Sequence, residues 1–324
     1  MRIFTFLCLL LFPLASGSSS VAFAQASAKW VKNPENYDLL RQFGERGATA
    51  LAVGKDDGTL YLAGSGKLVI IQKEKKMTPL QIPIKATALA FCEDFYSEDA
   101  DDNVILRRLY IVGNEQALVY DPEELSKPLA TWKIPQGEKG AVVTSATCDD
   151  TYLYVADAAN KVVWRFGGDE ATKTDGKPFA IGLPDKKKNA LGFIITNQWF
   201  DIAVDPTSGL VCAVNPRRLM IEKFTSEGYC EASFKPKDAR GGNYFFGCCN
   251  PAHLAAFDDG RLATLEKGEV RMSLFSKKGE FLEVVASPKE LGKKIPRDIA
   301  CYKGKIYVLE AEGNSVSVRE QIKP

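Results

Sequence analysis

The residues with the most chemical potential in this chain lie in one short run, Cys248-Cys249-Asn250-Pro251-Ala252-His253, which contains the sequence's single histidine. Thiolate and imidazole together suit zinc, copper or haem iron, and a thiolate beside a cation is redox-reactive. Cys248, Cys249 and His253 are therefore the expected metal-ligating set, with the cofactor itself unassigned among calcium, zinc, copper and haem iron. Two features weigh against them. Adjacent cysteines close poorly on one ion, and the Cys-x-x-Cys spacing of zinc sites is missing. Vicinal cysteines also form strained, labile disulfides, and packing or turn geometry is the competing account of the motif.

Other polar groups recur at comparable places: Asp157 and Asn160, Asn215 and Arg217, Glu266, Arg297 and Glu310. They are candidate ligand-binding residues, because the ends of successive strands rise toward one face of a repeat protein. Asp and Asn at a hairpin also bond their own backbone, which is the structural alternative. The run Asp99-Ala-Asp101-Asp-Asn103 starts like a calcium loop but has Val104 at the sixth position and Tyr110 at the twelfth, so an EF-hand is excluded. Lys186-Lys-Lys188 reads as a solvated face.

The elements that must hold these groups show themselves as repeats. A small, apolar phrase occurs six times: Thr49-Ala-Leu-Ala-Val53, Thr87-Ala-Leu-Ala-Phe91, Thr144-Ser-Ala-Thr-Cys148, Phe200-Asp-Ile-Ala-Val204, His253-Leu-Ala-Ala-Phe257 and Arg297-Asp-Ile-Ala-Cys301. Small side chains suit an innermost strand, where blades converge on a narrow axis. Each phrase leads through a turn into a second strand, whose second residues are Tyr61, Tyr110, Tyr154, Val211, Leu262 and Tyr307, 44 to 57 residues apart. That is the period of a propeller blade. Alternating third strands follow, such as Lys161-Val-Val-Trp-Arg-Phe166, then weaker fourth strands after turns such as Ser226-Glu-Gly228 and Lys277-Lys-Gly279.

The last repeat lacks a fourth strand, and Tyr37 to Gly44, ahead of the first repeat, reads as a spare one. The expected fold is therefore all-β: a six-bladed β-propeller of four-stranded antiparallel blades, closed by an N-terminal strand (37–44) pairing into the last blade.

Leu153-Tyr-Val-Ala-Asp157-Ala-Ala-Asn160-Lys-Val-Val-Trp-Arg-Phe166 resembles the NHL repeat, a strand ending in Ala-Asp, two residues, Asn, then a basic-apolar strand; Ala213-Val-Asn215-Pro-Arg-Arg218 follows it loosely. Gly247-Cys-Cys-Asn-Pro-Ala-His253 resembles a subgroup of bacterial exported NHL-repeat propellers. The first, second and last repeats depart from the Asp-x-x-Asn pattern. Among propeller enzymes, the peptide-amidating lyases need several zinc-bound histidines, which one histidine cannot supply. Calcium-dependent lactonases gather acidic and amide groups around the axis, and Glu266, Glu310, Asn114, Asp157 and Asn215 are the residues here that could approximate such a ring.

Composition narrows the classes further. Lys+Arg (42) and Asp+Glu (41) nearly cancel, so no overall charge draws the chain to nucleic acid or an anionic membrane. Met1-Arg2, the apolar run Ile3 to Leu14 and the small residues Val21 to Ala26 read as a signal peptide over 1–26, ahead of a single propeller domain over 27–324. Export to the periplasm or beyond follows, with no integral membrane segment after cleavage. Of eight cysteines, Cys8 leaves with the signal and seven cannot all pair. Cys212 and Cys230 fall two strands apart, about 9.5 Å, too far for a disulfide. Cys92, Cys148 and Cys301, near the ends of inner strands, read as small apolar filler.

With no nucleophile motif or phosphate loop, the sequence points to a module binding a protein, peptide or glycan. The alternative is an enzyme with an axial site, either a metal- or thiol-dependent redox protein or a calcium-dependent lactonase-like hydrolase.

Overall fold

The structure, a computed structural model, describes residues 29–55, 57–72, 77–96, 105–167, 177–235, 245 and 249–322. The signal-peptide segment, Cys248 and the run 99–103 lie outside them. Strand β1 (Lys29–Asp38) and a short helix α1 (Leu40–Phe43) precede the first blade, which contains β2 (Ala50–Val53), β3 (Leu60–Gly64), β4 (Lys67–Ile71) and β5 (Met77–Gln81). The second contains β6 (Ala88–Tyr96), β7 (Ile105–Val112), β8 (Gln116–Tyr120) and β9 (Ala130–Lys133). The third contains β10 (Val143–Cys148), β11 (Leu153–Asp157), β12 (Val162–Phe166) and β13 (Phe179–Ile181). In the fourth are β14 (Ile202–Asp205), β15 (Leu210–Asn215), β16 (Met220–Phe224) and β17 (Cys230–Phe234). The fifth has β18 (His253–Ala256), β19 (Leu262–Glu266), β20 (Arg271–Phe275) and β21 (Phe281–Ala286); helix α2 (Pro288–Leu291) leads to β22 (Asp298–Tyr302), β23 (Lys305–Leu309) and β24 (Ser315–Ile322).

Each of the six sheets has four antiparallel strands, and the last has the order β1-β24-β23-β22. The chain is thus a six-bladed propeller whose first strand supplies the outer edge of the last blade. Tyr37 pairs with Val316 and Lys29 with Ile322. The closing strand is longer and earlier than the expected 37–44: it spans Lys29–Asp38, and Leu40–Phe43 winds into one helical turn. The reason is local. Leu39 donates its N–H to the Asn314 carbonyl and is fully buried, so the chain must turn inward there to begin the first blade. Gly47 (φ 64°) and Gly313 (φ 69°) pass backbone against backbone at this junction, with Ala48 N–H on the Gly313 carbonyl at 2.8 Å. A Cβ on either glycine would strike the other segment.

The second strands β3, β11 and β19 are buried along their whole length, because each lies between two neighbours in its sheet and between two blades. The core runs as a belt between blades rather than as one central mass. On the closing strand, Trp30 is 7% exposed and packs with Phe257, Ala255 and Val308. No helix of the described residues is long and apolar enough to cross a membrane.

Two thiols read as filler are joined. Cys92, in the middle of β6, and Cys148, the last residue of β10, form a disulfide between the inner strands of blades two and three across a separation of 56 residues. Side-by-side inner strands bring residues of adjacent blades together at one offset position of the repeated phrase, which a residue-by-residue reading misses. Among the described residues Cys212, Cys230 and Cys301 are free, as expected for the Cys212 and Cys230 pair. Burial pushes the Cys212 thiol up to about 12 and that of Cys230 up to about 11, so neither is a reactive thiolate near neutral pH.

Ring closure and the disulfide between blades two and three each contribute measurably to stability. Trp30→Ala should lower the unfolding free energy by about 3 kcal/mol, read as a fall in urea midpoint without change in m-value. Reducing Cys92–Cys148 should cost up to about 4 kcal/mol in the chain-entropy account, measured by thermal unfolding with and without reductant alongside thiol titration.

Candidate axial site

The turns that end the second strands decide the fate of most sequence candidates. Asp157 is fully buried and accepts from the backbone N–H groups of Val142, Ala159 and Asn160, from the Asn160 side chain (2.6 Å) and from Trp164 Nε1 (3.1 Å). Asn215 occupies the same place in blade four: its amide donates to Glu222 (2.7 Å) and its oxygen accepts from Ile194 N–H. Glu266 in blade five accepts from Ser273 (2.7 Å) and pairs with Arg271 (2.9 Å), and Glu310 in blade six accepts from Ser317 (2.6 Å). In all four blades the bonded side-chain partner is seven residues on, on the next strand and diagonal to it across the hairpin. These groups lock their own turns. Asn114 likewise accepts from Val143 N–H. The oxygens that could have gathered into an axial calcium ring are spent in separate hairpins.

The arginines divide. Arg297 clamps the closing junction, donating to the carbonyls of Ala311, Arg46 and Ala48 at 2.7 to 2.9 Å. Arg217 is exposed on the face that carries these turns.

The Cys-Cys-Asn-Pro-x-His motif also separates. Cys249 is buried with φ 64° and its Sγ lies 3.2 Å from Thr196 Oγ1. Asn250 exchanges two hydrogen bonds with the Lys267 backbone. Among the described residues the structure brings His253 to two carboxylates instead of to Cys249: Asp201, His253 and Asp298 each present a ligand atom, all within 4.8 Å of one another. His253 Nδ1 is 3.0 Å from Asp201 Oδ2, its ring meets the Trp199 ring edge-on at 5.5 Å, and its Nε2 is buried with no hydrogen-bond partner.

The trio stands where the inner strands of blades four, five and six begin. Small residues there leave an axial cavity of about 140 Å³, walled by Thr49, Thr87, Thr144, Asp201 and Asp298 near one mouth. The two carboxylates are also structural. Asp201 accepts from Leu254 N–H of the next blade (3.1 Å), and Asp298 accepts from Leu51 N–H (2.9 Å). Sequence reading missed both because they sit inside the repeated phrase. The available signal was that Asp interrupts small residues twice, in the identical tripeptide Asp-Ile-Ala.

Burial and the nearby Asp201 charge push the Asp298 carboxyl up to about 7, against the opposing pull of His253 and two backbone N–H groups. Burial works against the imidazolium of His253, but the hydrogen bond and charge of Asp201, with the charge of Asp298, outweigh it and raise its value. Elsewhere a buried carboxylate has a fixed cation: Asp205 is held below its ordinary value because Lys223, at 2.9 Å, and Thr207 outweigh its burial. Among the described residues no lysine or arginine pairs with Asp201 or Asp298.

Comparison with known proteins gives the fold. No family model and no curated protein matches the chain. Solved structures similar to it include virginiamycin B lyase from Staphylococcus aureus, at TM-score 0.56 and 14% identity, covering 91% of this chain and 100% of that one. A catalytically inactive histidine-to-alanine variant of that lyase, with quinupristin, is similar at TM-score 0.55 and 13% identity, with coverage of 91% and 100%. A protein of unknown function from Bacteroides thetaiotaomicron is similar at TM-score 0.62 and 14% identity, covering 90% and 76%. Identities this low carry the architecture alone.

The raised Asp298 value has a signed consequence. The folded state holds this proton more tightly than the unfolded chain, so the contribution is greatest near pH 4, is lost as pH rises toward 7, and is constant above. His253, also raised, loses its contribution in the same direction as pH rises through its folded value. Urea midpoints from pH 4 to 8 should therefore fall relative to those of Asp298→Asn, which lacks the carboxyl. Identical pH slopes in the two proteins would contradict the raised value.

Proposed function

We propose that this chain is an exported binding propeller, periplasmic or secreted, that holds a protein, peptide or glycan ligand by inserting one small polar group into the axial mouth at Asp201, His253 and Asp298. One observation carries this reading: Asp201 and Asp298 line an axial cavity of about 140 Å³ with His253 hydrogen-bonded beside them, and no lysine or arginine among the described residues pairs with the two carboxylates. A cavity of about 150 Å³ holds one benzene-sized group, so a side chain or a single substituent fits and a whole folded partner rests on the rim. Arg217, exposed on the same face as the hairpin turns, suits rim contact. The NHL-type identity of the repeats belongs to this proposal, supported by the lock between Asp157 and Asn160.

A second reading is favoured by a specific observation: a carboxyl at about 7 beside an imidazole is suited to general acid–base work near neutral pH. The inactive histidine variant among the lyase neighbours is a precedent on this fold.

Peptide-library and glycan-array screens of the purified chain test both. Hits should lose at least tenfold affinity in His253→Ala and Asp298→Asn while keeping it in Lys186→Ala. A screen without hits, or hits indifferent to both axial substitutions, would overturn the axial-binding proposal. Mass spectrometry of each bound hit then separates the readings: an unchanged mass leaves binding, and a mass change lost in Asp298→Asn establishes acid–base catalysis.

A further inference from the structure

The axial trio has a charge problem that a ligand's arrival does not by itself solve. Asp201 and Asp298 are buried close together, and the one nearby titratable base is His253. With both carboxylates ionised and the imidazole protonated, the group still carries one excess negative charge in a site largely removed from water. Such a charge is costly unless a proton or a cation offsets it. Two other buried carboxylates, Asp205 and Glu266, are matched by Lys223 and Arg271 from their own blades; this pair is not.

We infer that Asp201, His253 and Asp298 form a divalent transition-metal site, with one imidazole nitrogen and two carboxylates from three blades as protein ligands and the axial cavity as the entry path. The inference rests on the axial mouth being the functional centre, and it replaces the thiol ligands expected from the sequence with oxygen ligands. Three observations support it. The ligand atoms already lie within 4.8 Å of one another, and His253 Nδ1 and Asp201 Oδ2 at 3.0 Å have close to the ligand-to-ligand spacing of a tetrahedral ion. His253 Nε2 is buried without a hydrogen-bond partner, so the ring is hydrogen-bonded through Nδ1 alone and can give that nitrogen to an ion in exchange for its bond to Asp201. Finally, two carboxylates and a neutral imidazole total two negative charges, which a divalent cation cancels. The donor set of one nitrogen and two oxygens suits Zn²⁺ or Mn²⁺.

Metal and proton then compete for one site. Any proton on a ligand atom must leave before the cation can bind there, so affinity rises with pH and protons are released. No other charged side chain of the described residues pairs with the trio; Arg297, adjacent in sequence to Asp298, is committed to backbone carbonyls.

The test uses the full chain, stripped with chelator and titrated calorimetrically with Zn²⁺ and with Mn²⁺ at pH 6 and pH 8, in two buffers of different ionisation enthalpy. The expected result is one equivalent bound, at least tenfold tighter at pH 8, with buffer-dependent heat that reports proton release. His253→Gln and Asp298→Asn should each weaken binding at least tenfold. Circular dichroism of both variants guards against misfolding, and a misfolded variant is replaced by Asp201→Asn. X-ray absorption of the zinc-loaded protein should show nitrogen and oxygen ligands at about 2.0–2.2 Å and no sulfur at about 2.3 Å. Absence of stoichiometric binding at pH 8, sulfur ligation, or affinity unchanged in the variants would each overturn the site. Repeating the ligand screens on stripped protein separates the two proposals: hits that survive stripping and depend on the axial residues uphold binding even where no metal binds, and metal uptake without hits upholds the cation site alone.

Discussion

Six inner strands arranged around an axis each leave one edge without a sheet neighbour, and those backbone groups must find partners or water. This structure answers with side chains from the adjoining blade. Asp201 accepts the Leu254 N–H, Asp298 the Leu51 N–H, Ser145 the Ile202 N–H and Thr147 the Val204 N–H. Thr49 and Thr144 donate in turn to the carbonyls of Ala86 and Phe200 across blade boundaries. The need to tie blade to blade at the hub explains why polar residues interrupt an otherwise small and apolar phrase. It also explains why two carboxylates and the histidine end up as neighbours: each opens the inner strand of its own blade, and those strands converge.

A second polar layer lies outward, at the hairpins after the second strands. It is self-contained within blades. Asp157, Asn215, Glu266 and Glu310 differ in type, yet each reaches a partner seven residues on. Fully bonded polar groups of this kind give a hairpin one register. The protein therefore keeps two separate economies of buried charge: a closed one at the hairpins, where donors and acceptors match, and an open one at the axis, where they do not.

Repeat number, strand order and ring closure were legible in the sequence because they depend on period and on residue size, which local pattern records. The closing strand was legible only in outline, since its boundary is set where Leu39 meets Asn314 of the last blade, a contact that the local pattern of residues 37–44 does not record. For the site, His253 could be singled out as the one histidine, but its partners could not: the linear motif put thiols beside it, whereas the Cys249 side chain meets Thr196. Asp201 and Asp298 come from other blades, and proximity of that kind depends on which face a strand position presents. The Cys92–Cys148 link escaped for the same reason.

Pairing of Lys29 with Ile322 and of Tyr37 with Val316 joins segments that stand far apart in the order of synthesis. Contacts separated by almost the whole chain, such as Asn33 with Glu320 at 287 positions, are entropically slow to find. The assembling molecule must therefore pass through an open arc, with the edge of β24 bare until the leading strand docks. The finished ring keeps a geometric memory of that step: both ends of the closing pair emerge side by side on the outer rim of one blade. A tether attached at either end would leave the central opening clear.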